Sequence, residues 1–194
     1  MAIEKMNFEH TNEITVVNKP QFDAHIRLYE GYVNKINEID KDLSEDPQIS
    51  QANATYSKYR GLKRGETFAM NGVILHELYF QNMGGTQNEP DEATMNRIGN
   101  AFGDFEHWKE DFIATAKASR GWAVLVFDQR SRGLRNASLD LHDYGNITLS
   151  FPILVLDVYE HAYFLQYADN KNAYINNFMY NINWDVVRRR LMKI

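Results

Sequence analysis

Phe22, Ile26, Tyr29, Val33 and Ile36 recur at steps of three or four, the period of a helix that buries one face. Pro20 suits a first helical turn and Asp46-Pro47 marks an end, so the pattern predicts a long amphipathic helix. A second helical stretch, from about Ala54 to Met83, contains the apolar segment FAMNGVILHELYF and closes at Gly84-Gly85. Residues 20–83 are therefore expected to form an antiparallel helical hairpin. Pro90-Asp91-Glu92 opens a shorter helix, Gly103-Asp104 interrupts it, and Phe105, Trp108, Phe112 and Ala116 carry another. The period then changes. GWAVLVF at 121–127 is rich in strand formers, DQRSRG reads as a hairpin turn, LRNASLDL alternates, and Phe151 to Val158 is a third apolar run. Helical patterns return at 159–168 and 172–179, and a last helix begins at Asn183-Trp184. This order is α+β: an N-terminal helical-hairpin domain (1–86), then a mixed α/β domain (87–194) with a three-stranded antiparallel sheet flanked by helices.

Composition narrows the chemistry. The chain has 194 residues, enough for one substantial core or two small ones, and a formal net charge of -5, which disfavours nucleic acid and anionic membranes as partners. No cysteine is present, so disulfides, thiolate zinc sites, iron-sulfur clusters and cysteine nucleophiles are excluded, and any metal must be held by nitrogen and oxygen. The opening MAIEKMNFEH lacks a continuous apolar stretch and no segment has membrane-spanning length, so a cytoplasmic protein is expected. The basic run Arg188-Arg189-Arg190 reads as a favourable helix C-terminus.

Three of the six histidines lie beside apolar faces. His25 shares a helical face with Tyr29 and Tyr32, His76 sits in the most apolar part of the second helix, and His161 follows the strand that ends at Asp157. Each alone is well explained as a hydrogen-bonded core histidine. Together with Asp157 they also fit a mononuclear site for iron, manganese or zinc.

LDVYEHAYFLQY closely resembles the Asp-x-Trp-Glu-His-Ala-Tyr signature of the iron/manganese superoxide dismutases, with Tyr159 in place of the usual tryptophan. HIRLYEGYVNKIN, NGVILHELYF, RGWAVLVF and Asn183-Trp184 resemble further segments of that family, from about Val17 to Leu191. The resemblance implies a superoxide dismutase acting on superoxide as a small anionic substrate. It implies His25, His76, Asp157 and His161 around one iron or manganese ion, with solvent as a fifth ligand. Tyr32 would guard the substrate channel and, with His142, move protons. Trp122, Trp184 and Tyr79 would wall the site, Glu160 and Tyr163 would join subunits in a homodimer or dimer of dimers, and Lys171 would supply positive charge at the channel entrance.

Some positions depart from the family pattern. Aligned on Tyr32-Val33, the first ligand position falls on Ala24, so His25 implies a one-residue deletion, and Tyr29 replaces a histidine that helps join subunits. Family members place a glutamine near the metal, either on the second helix or on the loop after the second strand. Here Gly72 and His142 stand at those places, and a histidine in that loop resembles members that use iron or accept either metal, so iron is preferred. The alternative is a catalytically impaired member that serves as a metal-binding or structural dimer.

Overall fold

Asn18 starts the first helix: its side chain accepts a hydrogen bond from the Gln21 backbone N–H, and Pro20 follows within the first turn. In the computed structural model, which describes residues 2–87 and 89–194, this helix (α1) runs Lys19–Glu45. Its buried side chains are Gln21, Phe22, His25, Tyr29, Val33, Ile36 and Ile39, so of the predicted stripe only Ile26 is partly exposed, while Ile39 and the polar Gln21 and His25 join it. The second helix (α2) runs Lys58–Gln81 and starts later than the expected Ala54. The delay has a local cause. Asn53 Oδ1 accepts from the backbone N–H groups of Thr55 and Tyr56, holding a turn until Ser57 caps the helix through the Arg60 N–H.

Asp91 and Asp104 cap α3 (Glu92–Phe102) and α4 (Phe105–Ala118), and Gly103, at φ +98°, makes the break between them. The strands β1 (Trp122–Asp128), β2 (Gly133–Leu139) and β3 (Ser150–Asp157) form one antiparallel sheet in the order β2-β1-β3. β1 is central and almost wholly buried, which is why it reads as a continuous apolar run. Its register pairs Trp122 with Asp157 and so delivers both to the same end of the sheet.

The stretch expected as helix over 159–168 is instead a 3₁₀ turn, Glu160–Ala162, and a four-residue helix, α5 (Phe164–Tyr167). Gln21 accounts for the break. Its amide donates to the His161 carbonyl (2.6 Å) and accepts from the Leu165 N–H (2.9 Å), the two groups that a continuous helix would bond to each other. Helices α6 (Lys171–Tyr180) and α7 (Trp184–Leu191) complete the chain. Arg188, Arg189 and Arg190 fall in the last turn of α7, as expected of a favourable helix C-terminus, and Arg190 also acts beyond it. It reaches the carbonyls of Leu78 (3.3 Å) and Ile153 (2.9 Å) and the Asn82 side chain (2.9 Å), tying the end of α2 to β3.

One apolar core runs from Ile14 to Leu191 and joins the hairpin to the sheet. Among the described residues, no helix is long and apolar enough to cross a membrane.

Candidate metal centre

The continuous core brings α1, α2 and the end of β3 together at four polar side chains. His25 comes from α1, His76 from α2, Asp157 from the last position of β3 and His161 from the turn beyond it. One donor atom from each lies within 4.8 Å of all the others. The Nε2 atoms of His25 and His161 are each 3.1 Å from Asp157 Oδ2, and that of His76 is 3.6 Å away. Ligands bound at about 2.1 Å to a common ion lie roughly 3–4 Å apart, so these separations suit one ion. His25, His76 and Asp157 are buried, whereas the side chain of His161 is 31% exposed.

The hydrogen bonds fix the protonation of the central histidine. His76 Nδ1 lies 2.6 Å from the Gly72 carbonyl, which can only accept, so Nδ1 carries the hydrogen and Nε2 presents a bare lone pair. That Nε2 is buried and has no partner among the described residues. Desolvation lowers the pKa of His76 to about 3, with the neighbouring His25 adding to the effect. Burial also lowers His25, against the pull of Asp157. Asp157 is pushed up by burial, but His161 and His25 outweigh this and hold its carboxyl well below the usual range. Burial disfavours the charged forms of His25 and His76 beside this buried carboxylate, and an orphaned nitrogen aims at the same point. Both fit a cation bound between them.

Asp157 is itself held on two sides. Its Oδ1 accepts from the Tyr159 N–H (2.9 Å), and its backbone carbonyl accepts from the Tyr174 hydroxyl (2.8 Å), which in turn pairs with the Tyr79 hydroxyl (2.9 Å). Residues 90–190 match the family described as iron/manganese superoxide dismutases, C-terminal domain. An iron superoxide dismutase of Aquifex aeolicus is 43% identical over 178 residues, which cover 90% of this chain and 82% of that protein. A manganese superoxide dismutase of Haloferax volcanii is 38% identical over 83% of this chain and 79% of its own length. An iron superoxide dismutase of Saccharolobus solfataricus is 34% identical over 91% and 86% respectively.

The chain belongs to the iron/manganese superoxide dismutase family.

In this superoxide dismutase, the implied deletion in α1 leaves a continuous helix in which His25 and Tyr32 stand seven residues, two turns, apart on one face. His142 is buried, at 1% exposure. Trp122 Nε1 donates to His142 Nδ1 (2.9 Å), and His142 Nε2 lies 2.8 Å from the Tyr32 hydroxyl. Gly72 makes this chain possible. A Cβ there would come within 2.9 Å of the Tyr32 ring and 3.3 Å of the His142 ring.

The Tyr79 ring centroid lies 5.2 Å from that of His25, and the Trp122 ring centroid 5.0 Å from that of His76. Trp184 packs instead on Phe105 and Trp108. Tyr29, expected to replace a subunit-joining histidine, is fully buried and bonds within the chain, donating to Glu77 and accepting from the Met6 N–H. Lys171 donates to the Ser119 carbonyl (2.7 Å), and partial burial lowers its pKa. Glu160 is exposed, while Tyr163 is buried and stacked on Tyr174. Sequence reasoning missed three contributors. Phe68 packs 4.5 Å from His142, Tyr159 stacks 5.1 Å from His161, and Gln21 holds the turn that carries His161. Tyr159 stood in the motif in place of a tryptophan, so an aromatic wall was the available signal there. Gln21 and Phe68 lie one helical turn or more from any predicted ligand and carry no such mark.

Proposed function

We propose that His25, His76, Asp157 and His161 hold one iron or manganese ion and that superoxide is converted there to oxygen and hydrogen peroxide. The observation that carries this reading is the bare, buried Nε2 of His76, directed at the carboxylate that the other two histidines also approach. Dismutation needs a centre that accepts an electron from one superoxide and returns it to the next, which an iron or manganese ion supplies when bound. Asp157 contributes one negative charge, and neutral imidazoles add none.

Tyr32 and His142 deliver protons to the reduced oxygen, which needs two to become hydrogen peroxide. An indole N–H can only donate, so His142 Nδ1 is an acceptor. Burial lowers the pKa of His142 to about 4, so the ring is neutral near pH 7 and carries its hydrogen on Nε2. His142 then donates to the Tyr32 oxygen, and the Tyr32 hydroxyl hydrogen is left free to turn to a bound anion. The same histidine, standing where relatives carry a glutamine, favours iron as the working metal. Lys171 retains a positive charge for attracting the anionic substrate.

The shifted first ligand is no ground for an impaired enzyme, since His25 ends at the same carboxylate oxygen as His161. A cleft of about 380 Å³ beside His161, lined by Ala24, Leu28, Glu160, Phe164 and Leu165, supports a homodimer or dimer of dimers in which Glu160 meets His161 of the partner subunit. Division into units 1–86 and 87–194 belongs to the same reading. Protein purified without added metal should carry about one iron or manganese ion per chain and consume superoxide, as elemental analysis and a superoxide assay would record. A chain that stays metal-free and inactive after reconstitution under reducing conditions would sink the proposal.

A further inference from the structure

A groove of about 500 Å³, a volume suited to a small organic ligand, lies between the first half of α2 and the turn at Leu141–Tyr144. None of the four metal-site residues lines it. On the helix side, Arg60, Lys63, Arg64 and Thr67 fall at steps of three and four, so one face presents three cations. Lys63 is paired with Glu66, but among the described residues neither Arg60 nor Arg64 has a carboxylate within 4.0 Å. Guanidinium groups match phosphate oxygens two at a time, and Arg60 stands in the first turn of α2, where the helix dipole favours negative charge. The chain as a whole is acidic, with a net charge of -5, so its overall field does not gather anions and any anion held here depends on these two side chains.

The opposite wall has a different character. Tyr144 is 66% exposed and Leu141 44% exposed, side by side on an isolated β-bridge, and Tyr59 lines the groove from α2. Asp143 also lines the groove, its carboxylate 3.5 Å from the Thr67 hydroxyl. A carboxylate beside arginines opposes a bare anion, yet it accepts hydrogen bonds from hydroxyl groups. An aromatic face, hydroxyl donors and phosphates on one molecule match the three kinds of lining. We propose that this groove binds a nucleoside di- or triphosphate, with the phosphates on Arg60 and Arg64, the base against Tyr144 and the sugar hydroxyls on Asp143. The site adjoins the proton-bearing chain on both walls, because Thr67 precedes Phe68, Asp143 follows His142, and the rings of Phe68 and His142 are 4.5 Å apart.

Calorimetric titration of the metal-loaded protein with ATP, inorganic phosphate and adenosine separately tests the assignment. ATP should bind saturably with a Kd below about 1 mM, at least about 10-fold more tightly than either fragment, and at least about 10-fold more weakly to an Arg60→Gln/Arg64→Gln variant. Both arginines are exposed, so the variant should keep its thermal melt. The proposal is overturned by no saturable ATP binding in that range, by ATP binding unchanged in the variant, or by phosphate binding as tightly as ATP.

Discussion

His142 is bonded on both ring nitrogens, to a group that can only donate and to a hydroxyl that can do either. This fixes the direction of the whole Trp122–His142–Tyr32 chain, and a glutamine could imitate the direction without the ring. His142→Gln should therefore keep the metal, since no ligand is touched, and change superoxide turnover by about 10–100-fold or alter which of iron and manganese gives activity. Steady-state assays on matched iron- and manganese-loaded preparations would decide. A variant indistinguishable from its parent with both metals would show that His142 does not tune the centre. The glycine at position 72 was legible in the sequence only as a departure from the family's glutamine, because a helical glycine is otherwise read as a weak spot in propensity. Its purpose is visible only once the rings of Tyr32 and His142 are seen occupying the space of its missing side chain.

α1 and the segment after β3 supply His25 and His161, and the two elements are joined by the side chain of Gln21. The helical period placed Phe22 and His25 on the buried face without difficulty, and the apolar run of β3 placed Asp157 at its end. It did not reveal that a polar residue one turn before His25 would interrupt a helix 140 residues later in the chain. Local pattern cannot report such a contact, because the stretch from Tyr159 to Ala168 has a helical composition and loses its helix to a distant amide. Gln21→Leu should remove both bonds and leave a part-buried carbonyl and N–H to hydrate or pair with each other, lowering stability by about 0.5–1.5 kcal/mol. It should also weaken metal retention by about 10–100-fold through the misplaced His161. Urea denaturation would read the first effect and chelator competition, well below the melting temperature, the second. Loss of stability with unchanged chelator resistance would show that the amide has no part in holding the ligand.

Across the whole molecule, one core joins the helical hairpin to the sheet, and the four donor residues sit where they meet. The α+β order was legible because the change from helical to strand periodicity is abrupt near Gly121. The meeting point of the two halves was legible only through the family resemblance, since no periodicity says which buried faces touch. An ion there binds the folded chain and relieves the charge of Asp157. Metal removal should therefore destabilise the protein, by about 2.7 kcal/mol relative to free ion at a hundred times its Kd, or a fall in Tm of roughly 5–10 °C. Calorimetry of metal-free and reloaded samples would test this, and equal melting temperatures would contradict a structural share for the ion. The position of the donors along the chain has a consequence for biosynthesis. The first two lie at 25 and 76, but the remaining two are at 157 and 161 of 194 residues. A ribosome that has made the entire helical hairpin has thus made only half a ligand set. Selection between iron and manganese must wait until β3 and the turn after it have emerged and docked on the hairpin, when the ion at hand in the cell, rather than any early nascent segment, determines which is captured.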